Sequence, residues 1–548
     1  MSRTSGWKKE LMVADHYSLL MERFPKLALL LPHLGSKREK EKLSLSPGSL
    51  DLIYFYGLGC GEAYEALSDW LFSDSKKRLV FLEDDLSAMA SFLHQPIAKE
   101  ILENQQVTIS LVEDLEEVIE EFPSTHIDCL MLPSKDGFFF KELKERLLRK
   151  AFLAWAQHLD RMHGYQMFEN FLNNLTILPE SFYANRFKGK FQGVPAIVCG
   201  AGPSLQPLLP FLKSMENRGL VIGGGSTLAA LTSQGVMPHF GIAVDPNREE
   251  FRRLKNSFAF EVPFLYSTRL FSQCFQVCNG PFGYMRSGIG GVLELWIEEA
   301  LGLEGSLIGE SLDGEALSVT SICLAWAQFL GCNPIFLTGV DLAYTGNSRY
   351  ASGIELISSP FSLSAELGVD RRIQKENPHG EIVETAIRWV MESSCFSRFA
   401  KTYPDHTFFN LSQKGLGFET IPYLPIEEAE EKFFNREWNL REKVSQEIFQ
   451  ASFPLDTKDL IEKKIEELKK SLDEVIACLV ILAGEKKGSC SLAELELRDE
   501  LAFSLLFYDA EKILVRDLVL QKKEESLWPS FLSLARKYKL VFDHWREE

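Results

Sequence analysis

The feature that most constrains the fold is a series of short apolar runs in the middle of the chain, each ending in glycine or small polar residues. The first run, 194–199, breaks into the turn Gly200-Ala-Gly-Pro-Ser204, and a helix is predicted after it at 206–216. The later runs are 219–223, 240–244, 264–266 and 334–338. Short buried strands that alternate with helices are typical of a parallel sheet, which binds ligands at the carboxyl ends of its strands. The series therefore predicts an α/β fold with its site at that edge.

Side chains that a ligand can contact follow these predicted strands. The glycines of the first turn allow close approach of the backbone, and the next helix N-terminus presents N–H groups, which together predict phosphate binding. A second helix, 322–330, is capped by 318–321, which includes Thr320 and Ser321. The residues expected at the strand ends are Gly200, Gly202, Pro203, Ser204, Ser226, Thr227, Asp245, Asn247, Asp341 and Tyr344.

Three regions differ in their patterns, and they predict domains at 1–186, 187–425 and 426–548. In the first, an apolar run at 51–57 leads into Gly59 and Gly61, and a second run ends in Glu83, which describes the first half of a Rossmann-like nucleotide fold. Whether that turn binds a ligand stays open. The last region has helical periodicity almost throughout, including the stretches 460–483 and 492–522, and predicts a helical bundle.

Composition excludes several classes of protein. With 59 basic and 77 acidic residues, the net charge of −18 argues against nucleic-acid binding. The most apolar segment, 475–483, is much shorter than the ~20 residues of a membrane span, and the N-terminus lacks the apolar core of a signal peptide. The ten cysteines are scattered without a zinc pattern. We expect a cytoplasmic protein with buried free thiols, no bound metal and no integral membrane segment.

The motifs in order resemble a bacterial family. They are Cys199-Gly-Ala-Gly-Pro-Ser-Leu205, the segment 235–246 (GVMPHFGIAVDP), Ser318-Val-Thr-Ser321 and the segment 331–346 (GCNPIFLTGVDLAYTG). They look like those of the motility-associated-factor (Maf-type) glycosyltransferases. The central domain of that family is shared with archaeal 6-hydroxymethylpterin diphosphokinase-like proteins and is similar to bacterial sialyltransferases. The later stretches Gly380-Glu-Ile-Val-Glu-Thr385 and Asn410 with Gly415 resemble less specific motifs of the family.

The resemblance implies a glycosyltransferase that moves a nine-carbon acidic (nonulosonic) sugar from its CMP-activated form to a protein hydroxyl, on flagellin or another surface protein. By analogy, nucleotide contacts come from Gly200, Gly202, Pro203, Ser204, Ser226, Thr227, Asp245, Asn247, Thr320 and Ser321. Asp341 and Tyr344 face the reacting centre, where the Tyr344 hydroxyl stabilises the departing phosphate. The central domain is expected to be sialyltransferase-like, no cofactor beyond the CMP-sugar donor is firmly implied, and the tail helices leave room for a homodimer.

The catalytic base is the weakest part of the match. The acceptor hydroxyl needs a His or carboxylate base, and relatives often carry a His after the Tyr-Thr-Gly stretch, where this chain reads Asn347-Ser-Arg-Tyr350. His379, on a predicted loop, is the substitute. Arg269 and Arg286 are the basic groups to watch for the sugar carboxylate, whereas His239 is expected to be a packed or turn histidine.

Two alternatives remain open on the residues alone. Asp245 and Asp341 could hold Mg²⁺ with a nucleoside triphosphate, as an ATP-dependent 6-hydroxymethylpterin diphosphokinase-like enzyme requires. Alternatively, a chain that lacks the base is a nucleotide- or sugar-binding scaffold that has lost catalysis.

Overall fold

The chain divides into two compact units. The computed structural model describes residues 3–31, 39–259, 261–312, 318–345, 351, 372–507, 510–511 and 526–545, with the backbone alone for 3–10 and 157–163. The first unit holds the described residues up to 158, together with 372–373 and 386–388, and the second holds the others. The helices after residue 425 belong to the second unit. The three predicted domains, 1–186, 187–425 and 426–548, stay a prediction.

The first unit contains a four-stranded parallel sheet. Its strands are β1 (Leu52–Tyr56), β2 (Arg78–Glu83), β3 (Val107–Leu111) and β4 (Ile127–Met131), in the order β3-β2-β1-β4. Its helices are α1 (Arg3–Arg23), α2 (Pro25–Leu30), α3 (Glu62–Phe72), α4 (Leu86–Phe92), α5 (Ala98–Glu103) and α6 (Leu115–Glu121). A further helix, α7 (Gly137–Leu175), has residues in both units. The strand order is that of half a doubly wound fold, so the Rossmann-like prediction is confirmed.

The second unit is built on an eight-stranded sheet in which every paired strand is parallel. Its order is β14-β11-β6-β7-β8-β9-β10-β5, and β12 and β13 form a separate two-stranded sheet. The strands are β5 (Phe182–Tyr183), β6 (Ala196–Cys199), β7 (Leu220–Gly224), β8 (Phe240–Ala243), β9 (Phe264–Tyr266), β10 (Phe282–Tyr284), β11 (Ile335–Thr338), β12 (Arg372–Glu376), β13 (Ile382–Ala386) and β14 (Phe408–Asn410). The central strands are buried on both faces, which explains their unbroken apolar sequence. The α/β prediction is confirmed.

Helices account for most of the remaining second unit. They are α8 (Leu209–Lys213), α9 (Ser226–Thr232), α10 (Arg248–Leu254), α11 (Val292–Ala300), α12 (Val319–Phe329), α13 (Ile387–Thr402), α14 (Ile426–Phe433), α15 (Leu440–Gln450), α16 (Thr457–Leu482), α17 (Cys490–Asp499), α18 (Leu501–Leu506) and α19 (Trp528–His544). The last four pack with β9 and β10 in one apolar core. The predicted C-terminal helical bundle is therefore present.

Two predicted helices differ from the structure. The segment 206–216 forms a 3₁₀ turn, Pro203–Leu208, followed by the short α8, because Pro207 and Pro210 lack the N–H groups that a regular helix needs. The segment 492–522 breaks at Glu500, whose backbone is extended. There the Ser471 hydroxyl donates to the Glu500 carboxylate at 2.6 Å and accepts from Ala502 N at 2.9 Å, and this tertiary contact fixes the break.

Two expectations from composition can be compared with the described part of the chain. None of its helices combines the length and the apolar character needed to cross a membrane. All ten cysteines are free thiols, and nine of them are buried, as expected.

The glycine turn of the first unit uses its N–H groups internally. Leu58 N donates to Glu83 at 2.9 Å, and Cys60 N donates to Glu62 at 2.7 Å. Glu83 is fully buried and also binds the Lys135 ammonium, which reaches Asp84 at 2.6 Å. Burial opposes the ionisation of Asp84, but its hydrogen bonds, that from Lys135 foremost, outweigh burial and hold the pKa of Asp84 at about 2. A ligand at this turn would have to displace carboxylates of the chain.

The Glu83–Lys135 pair yields the first prediction. Lys135→Met leaves the Glu83 carboxylate buried without its cation, so we expect the free energy of unfolding, measured with urea, to fall by about 3–5 kcal/mol. The double variant Glu83→Gln/Lys135→Met should recover most of this loss, since no uncompensated charge remains. Lys26→Met, which breaks the exposed pair with Asp114, is the control and should change little. A Lys135→Met protein as stable as that control would contradict the account.

Candidate functional site

The candidate site lies where the order of the large sheet reverses. From β6 the chain moves outward through β7, β8, β9 and β10, and then returns to β11 on the other side of β6. The carboxyl ends of β6 and β11 therefore lie side by side at a topological switch point, where open α/β sheets bind their ligands.

The two turns at this junction are in direct backbone contact. Gly202 N donates to Gly339 O at 2.7 Å. A Cβ placed on Gly202 would lie 2.6 Å from Asp341 Cγ and 2.8 Å from Gly339 O, and one on Gly200 would also overlap Gly339. The glycines are thus required by the neighbouring turn of the protein itself, before any ligand is considered.

Asp341 and Ser204 form the centre of the junction. Ser204 N donates to Asp341 Oδ2 at 3.1 Å, and the Ser204 hydroxyl donates to Asp341 Oδ1. Burial raises the pKa of the Asp341 carboxyl, although the hydrogen bonds from Ser204 act in the opposite direction. Pro203 is the first residue of the 3₁₀ turn behind Ser204. The carboxylate of Asp341 therefore accepts from Ser204, the residue that the sequence analysis assigned to a nucleotide phosphate.

Ser412 belongs to this junction and was missed by the sequence analysis. Its hydroxyl accepts from Gly339 N at 3.2 Å and lies 2.8 Å from the Ser204 hydroxyl. Asn410 positions it, since its side chain accepts from Ser412 N and donates to Ser412 O. The only sequence signal was the motif-like Asn410 two residues earlier.

Tyr344 is placed by an unusual turn. Leu342 is the one non-glycine residue with positive φ, 50°, in the described chain, a conformation that costs a branched side chain about 1–2 kcal/mol. The Thr385 hydroxyl holds it by donating to Leu342 O at 2.6 Å. The Tyr344 ring, which is half-buried, lies 4.9 Å from the Trp389 ring, centroid to centroid. Because strain of this kind collects at functional sites, the turn marks Asp341 and Tyr344 as one structural element.

His379 lies in the short turn that connects β12 and β13. Asn377, two residues before it, donates to Gly415 O at 3.2 Å, and Leu416 N donates to Asp341 O at 2.8 Å. Two hydrogen bonds thus link the hairpin turn to the backbone of Asp341. The imidazole is exposed and stands edge-on to the Tyr423 ring. Residues 347–350, where relatives carry His, lie outside the described residues.

The other predicted nucleotide contacts gather at the ends of β7 and β8. Val319, at the start of α12, packs directly on Gly224, so the N-terminus of α12 lies against the end of β7, two residues before the start of α9 at Ser226. Thr227 is buried against Gly223. The Ser321 hydroxyl completes a capping box with Ser318 and is satisfied within the helix end.

Asp245 is held in place by its own loop. Its Oδ1 accepts from the backbone N–H and side-chain amide of Asn247 at 3.1 and 2.7 Å, and its Oδ2 lies 3.4 Å from the Arg253 guanidinium. Asn247 is the N-cap position of α10. Hydrogen bonds within the protein therefore fix the conformation of this loop.

Asp245 and Asp341 do not come together to bind one metal ion. They follow β8 and β11, which are separated by β7 and β6, so three strand spacings of about 4.8 Å place them about 14 Å apart. Each carboxylate is also engaged by the protein. The structure thus does not support the Mg²⁺ site that the diphosphokinase alternative draws from this pair, and among the described residues no cluster of three or more His, Cys, Asp or Glu is arranged as a metal site.

The remaining basic candidates differ in their surroundings. Arg286 binds Glu298 at 2.9 Å and the carbonyl of Gly305, so it is satisfied internally. Arg269 has a buried Nε without a partner among the described residues. His239 is a packed histidine, as predicted: it accepts from Val221 N at 3.0 Å, lies 2.9 Å from Glu216 O, and burial lowers its pKa to about 4.

Two buried carboxyl groups lie close to the same edge. Glu250 faces Gly225, whose Cβ would lie 3.3 Å from Glu250 Oε1, and Glu294 accepts from Thr268 N at 2.6 Å and from its hydroxyl. Burial raises the pKa of each to about 7. One oxygen of each carboxyl has no hydrogen-bond partner within the described part of the chain.

Comparison with known proteins supplies two matches. The family model described as 6-hydroxymethylpterin diphosphokinase MptE-like matches residues 169–347. Among solved structures, the chain is similar to the Maf glycosyltransferase from Magnetospirillum magneticum AMB-1, with 15% sequence identity and a TM-score of 0.47, over 98% of this chain and 85% of that chain. A search of curated proteins finds no match. The family model confirms the resemblance of the central region to 6-hydroxymethylpterin diphosphokinase MptE-like proteins.

Glu294 yields a prediction about pH. Its pKa is about 7 in the folded chain against an ordinary 4.5, so the folded state binds the proton more tightly and stability falls as pH rises from about 4.5 to about 7, by up to about 3 kcal/mol. Glu294→Gln keeps the acceptor for Thr268 but cannot ionise. Its free energy of unfolding should therefore lie within about 1 kcal/mol of the wild type at pH 5 and exceed it by about 3 kcal/mol at pH 8.

The matched control is Glu299→Gln, an exposed carboxyl on the same helix, which should leave the pH profile unchanged. Urea titrations at pH 5, 6, 7 and 8 measure the effect. If Glu294→Gln were less stable than the wild type at pH 8, the ionised carboxylate would be a stabilising partner of Arg269, contrary to this account.

Proposed function

We propose that the chain is a glycosyltransferase that moves a nonulosonic-acid-type sugar from a CMP-activated donor to a protein hydroxyl. The observation that carries the proposal is the junction of β6 and β11, where Ser204, Asp341 and the Tyr344 turn meet at the switch point of a parallel sheet. The motif residues that resemble those of Maf-type enzymes are therefore collected at one edge, although the chain brings them from widely separated segments.

In this proposal the donor lies along the carboxyl ends of β6, β7 and β8. The phosphate and ribose are held by the turn that ends in Ser204, and the base by the ends of β7 and β8 with Thr320. Asp341 already accepts from both Ser204 N and the Ser204 hydroxyl. The phosphate of the CMP-sugar therefore takes over both hydrogen bonds as the carboxylate withdraws. The raised pKa of Asp341 makes a neutral carboxyl beside the phosphate accessible.

The transfer step needs a hydrogen-bond donor to the leaving group and a base for the acceptor hydroxyl. The bond from the anomeric carbon to the phosphate oxygen breaks, CMP leaves as a phosphate monoester anion, and the acceptor oxygen forms the new bond while its proton passes to a base. Tyr344, three residues after Asp341, is proposed to donate a hydrogen bond to the leaving oxygen. His379, linked to Asp341 through Asn377 and Gly415, is proposed as the base. The acceptor is proposed to be flagellin or another surface protein.

A second function is favoured by one observation, the MptE-like family model over residues 169–347. An enzyme of that kind would transfer a diphosphate from ATP to a pterin alcohol and would need Mg²⁺. The separation of Asp245 from Asp341 argues against the metal site proposed for it here. Nucleotide preference distinguishes the two functions directly.

The binding prediction follows from Ser204. Titration calorimetry with CMP should show binding without Mg²⁺, and Ser204→Ala should weaken it about tenfold through the lost hydroxyl. Ser214→Ala, which removes a hydroxyl that donates to Phe211 O away from the junction, should bind as the wild type does. Gly200 is avoided as a target because any side chain there overlaps Gly339 and tests folding instead.

ATP with Mg²⁺ is titrated in parallel. Binding of ATP that depends on Mg²⁺, with no binding of CMP, would replace the sugar-transfer proposal with the diphosphokinase one. Absence of binding by every nucleotide would contradict both enzymes.

The catalytic prediction concerns Tyr344. Tyr344→Phe should lower the rate of CMP release from a CMP-nonulosonic acid by about 100-fold, because the departing phosphate loses a hydrogen-bond donor, while the Kd for CMP stays near that of the wild type. Tyr403→Phe, which removes a hydroxyl that accepts from Ser311, is the matched control. An unchanged release rate in Tyr344→Phe would exclude this role.

A further inference from the structure

Three amide side chains on one face of α7 point to a role that the motifs do not assign. Gln166, Asn170 and Asn174 are spaced four residues apart and share a face of the helix. Asn170 and Asn174 are buried, with 1% and 0% of their surface exposed. A row of buried amides is costly unless each is hydrogen-bonded, so the partners of these groups show what the row does.

The partners are the loops that follow β8 and β9. Gln166 Nε2 and Asn170 Nδ2 both donate to Pro246 O at 3.1 Å, and Pro246 lies between Asp245 and Asn247. Asn170 also donates to Arg269 O at 3.2 Å and accepts from Ser272 N at 3.2 Å.

Asn174 continues the row along the second loop. Its Nδ2 donates to Thr268 O at 2.8 Å and to Leu270 O at 2.6 Å. The two loops are also tied to each other, since Phe271 N donates to Asp245 O at 3.1 Å. The amides therefore satisfy carbonyls that strand-to-helix loops leave without a partner of their own, and they fix both loops to one rigid helix.

We infer that Asn170 and Asn174 are positioning residues that hold the 245–247 and 267–272 loops in the geometry used to bind the nucleotide. This inference rests on the proposed function, because it takes Asp245 and Asn247 as contacts of the donor. Neither amide touches the donor in this arrangement. They act through the backbone of the residues that do.

The next face of α7 supplies a matched control. Asn173, one residue from Asn174, lines a cleft of about 590 Å³ formed with α19, together with Tyr165 and Glu169. It carries the same side chain on the same helix, and it faces the cleft instead of the two loops. Leucine has the branched shape of asparagine without its hydrogen-bonding groups, so Asn170→Leu, Asn174→Leu and Asn173→Leu form a balanced set.

Two measurements on the full chain test the inference. Hydrogen exchange without ligand should show faster exchange of the Asn247, Phe271 and Ser272 amides in Asn170→Leu and Asn174→Leu, and no change in Asn173→Leu. Titration with CMP should then show about a tenfold higher Kd in the first two variants and the wild-type Kd in the third. The Kd of the folded protein is not altered by a loss of global stability alone, so it separates positioning from a structural role.

Each outcome is decisive. Unchanged loop exchange in Asn170→Leu and Asn174→Leu would overturn the inference whether or not CMP binds. Faster exchange with an unchanged Kd for CMP would show that the amides order the loops but do not serve nucleotide binding, which also overturns it. Failure of the wild type itself to bind CMP would instead reject the proposed function on which the inference rests, and is distinguished by the exchange result.

Discussion

The close approach of the turns after β6 and β11 is the contact on which the candidate site depends. Gly202 lies against Gly339 and Asp341, so the shape of the turn after β6 is set by contacts within the protein. Asp341 is thereby fixed beside Ser204, and the left-handed turn at Leu342 sets the direction in which Tyr344 leaves the sheet. This contact between the two turns therefore orients both Ser204, the proposed hydrogen-bond donor to the phosphate, and Tyr344, the proposed hydrogen-bond donor to the leaving oxygen.

The two glycine turns, one in each unit, share a principle: side-chain carboxylates of the chain accept from their backbone N–H groups. In the first unit Glu83 and Glu62 accept from the N–H groups of the turn, and in the second Asp341 accepts from Ser204 N. Unpaired N–H groups at such turns favour an anion, and the chain supplies its own carboxylates. The two sites differ in how firmly the carboxylate is held, because the buried Glu83 is also paired with the partly buried Lys135, whereas burial raises the pKa of Asp341.

The sequence predicted most of what depends on local pattern. Apolar runs located β1 and β2 in the first unit and β6, β7, β8, β9 and β11 in the second, and the residues after these strands of the second unit lie at one edge of its sheet. It did not predict features set by distant contacts, such as the break at Glu500, which depends on Ser471, or the role of Ser412 at the junction. The reason that Gly202 must be glycine also lies outside its local pattern, since the residue it contacts, Asp341, is 139 positions away.

These contacts imply that binding of an anion at the central turn is an exchange and not a simple addition. The N–H of Ser204 already donates to Asp341, so a phosphate that replaces the carboxylate gains only the difference in hydrogen-bond free energy between the two anionic acceptors. The repulsion between the phosphate and the carboxylate has to be relieved by movement or protonation of the carboxyl. An acid whose pKa is raised by burial gives up its charge at less cost than an exposed one. The same group that shapes the turn through Ser204 is thus suited to release it.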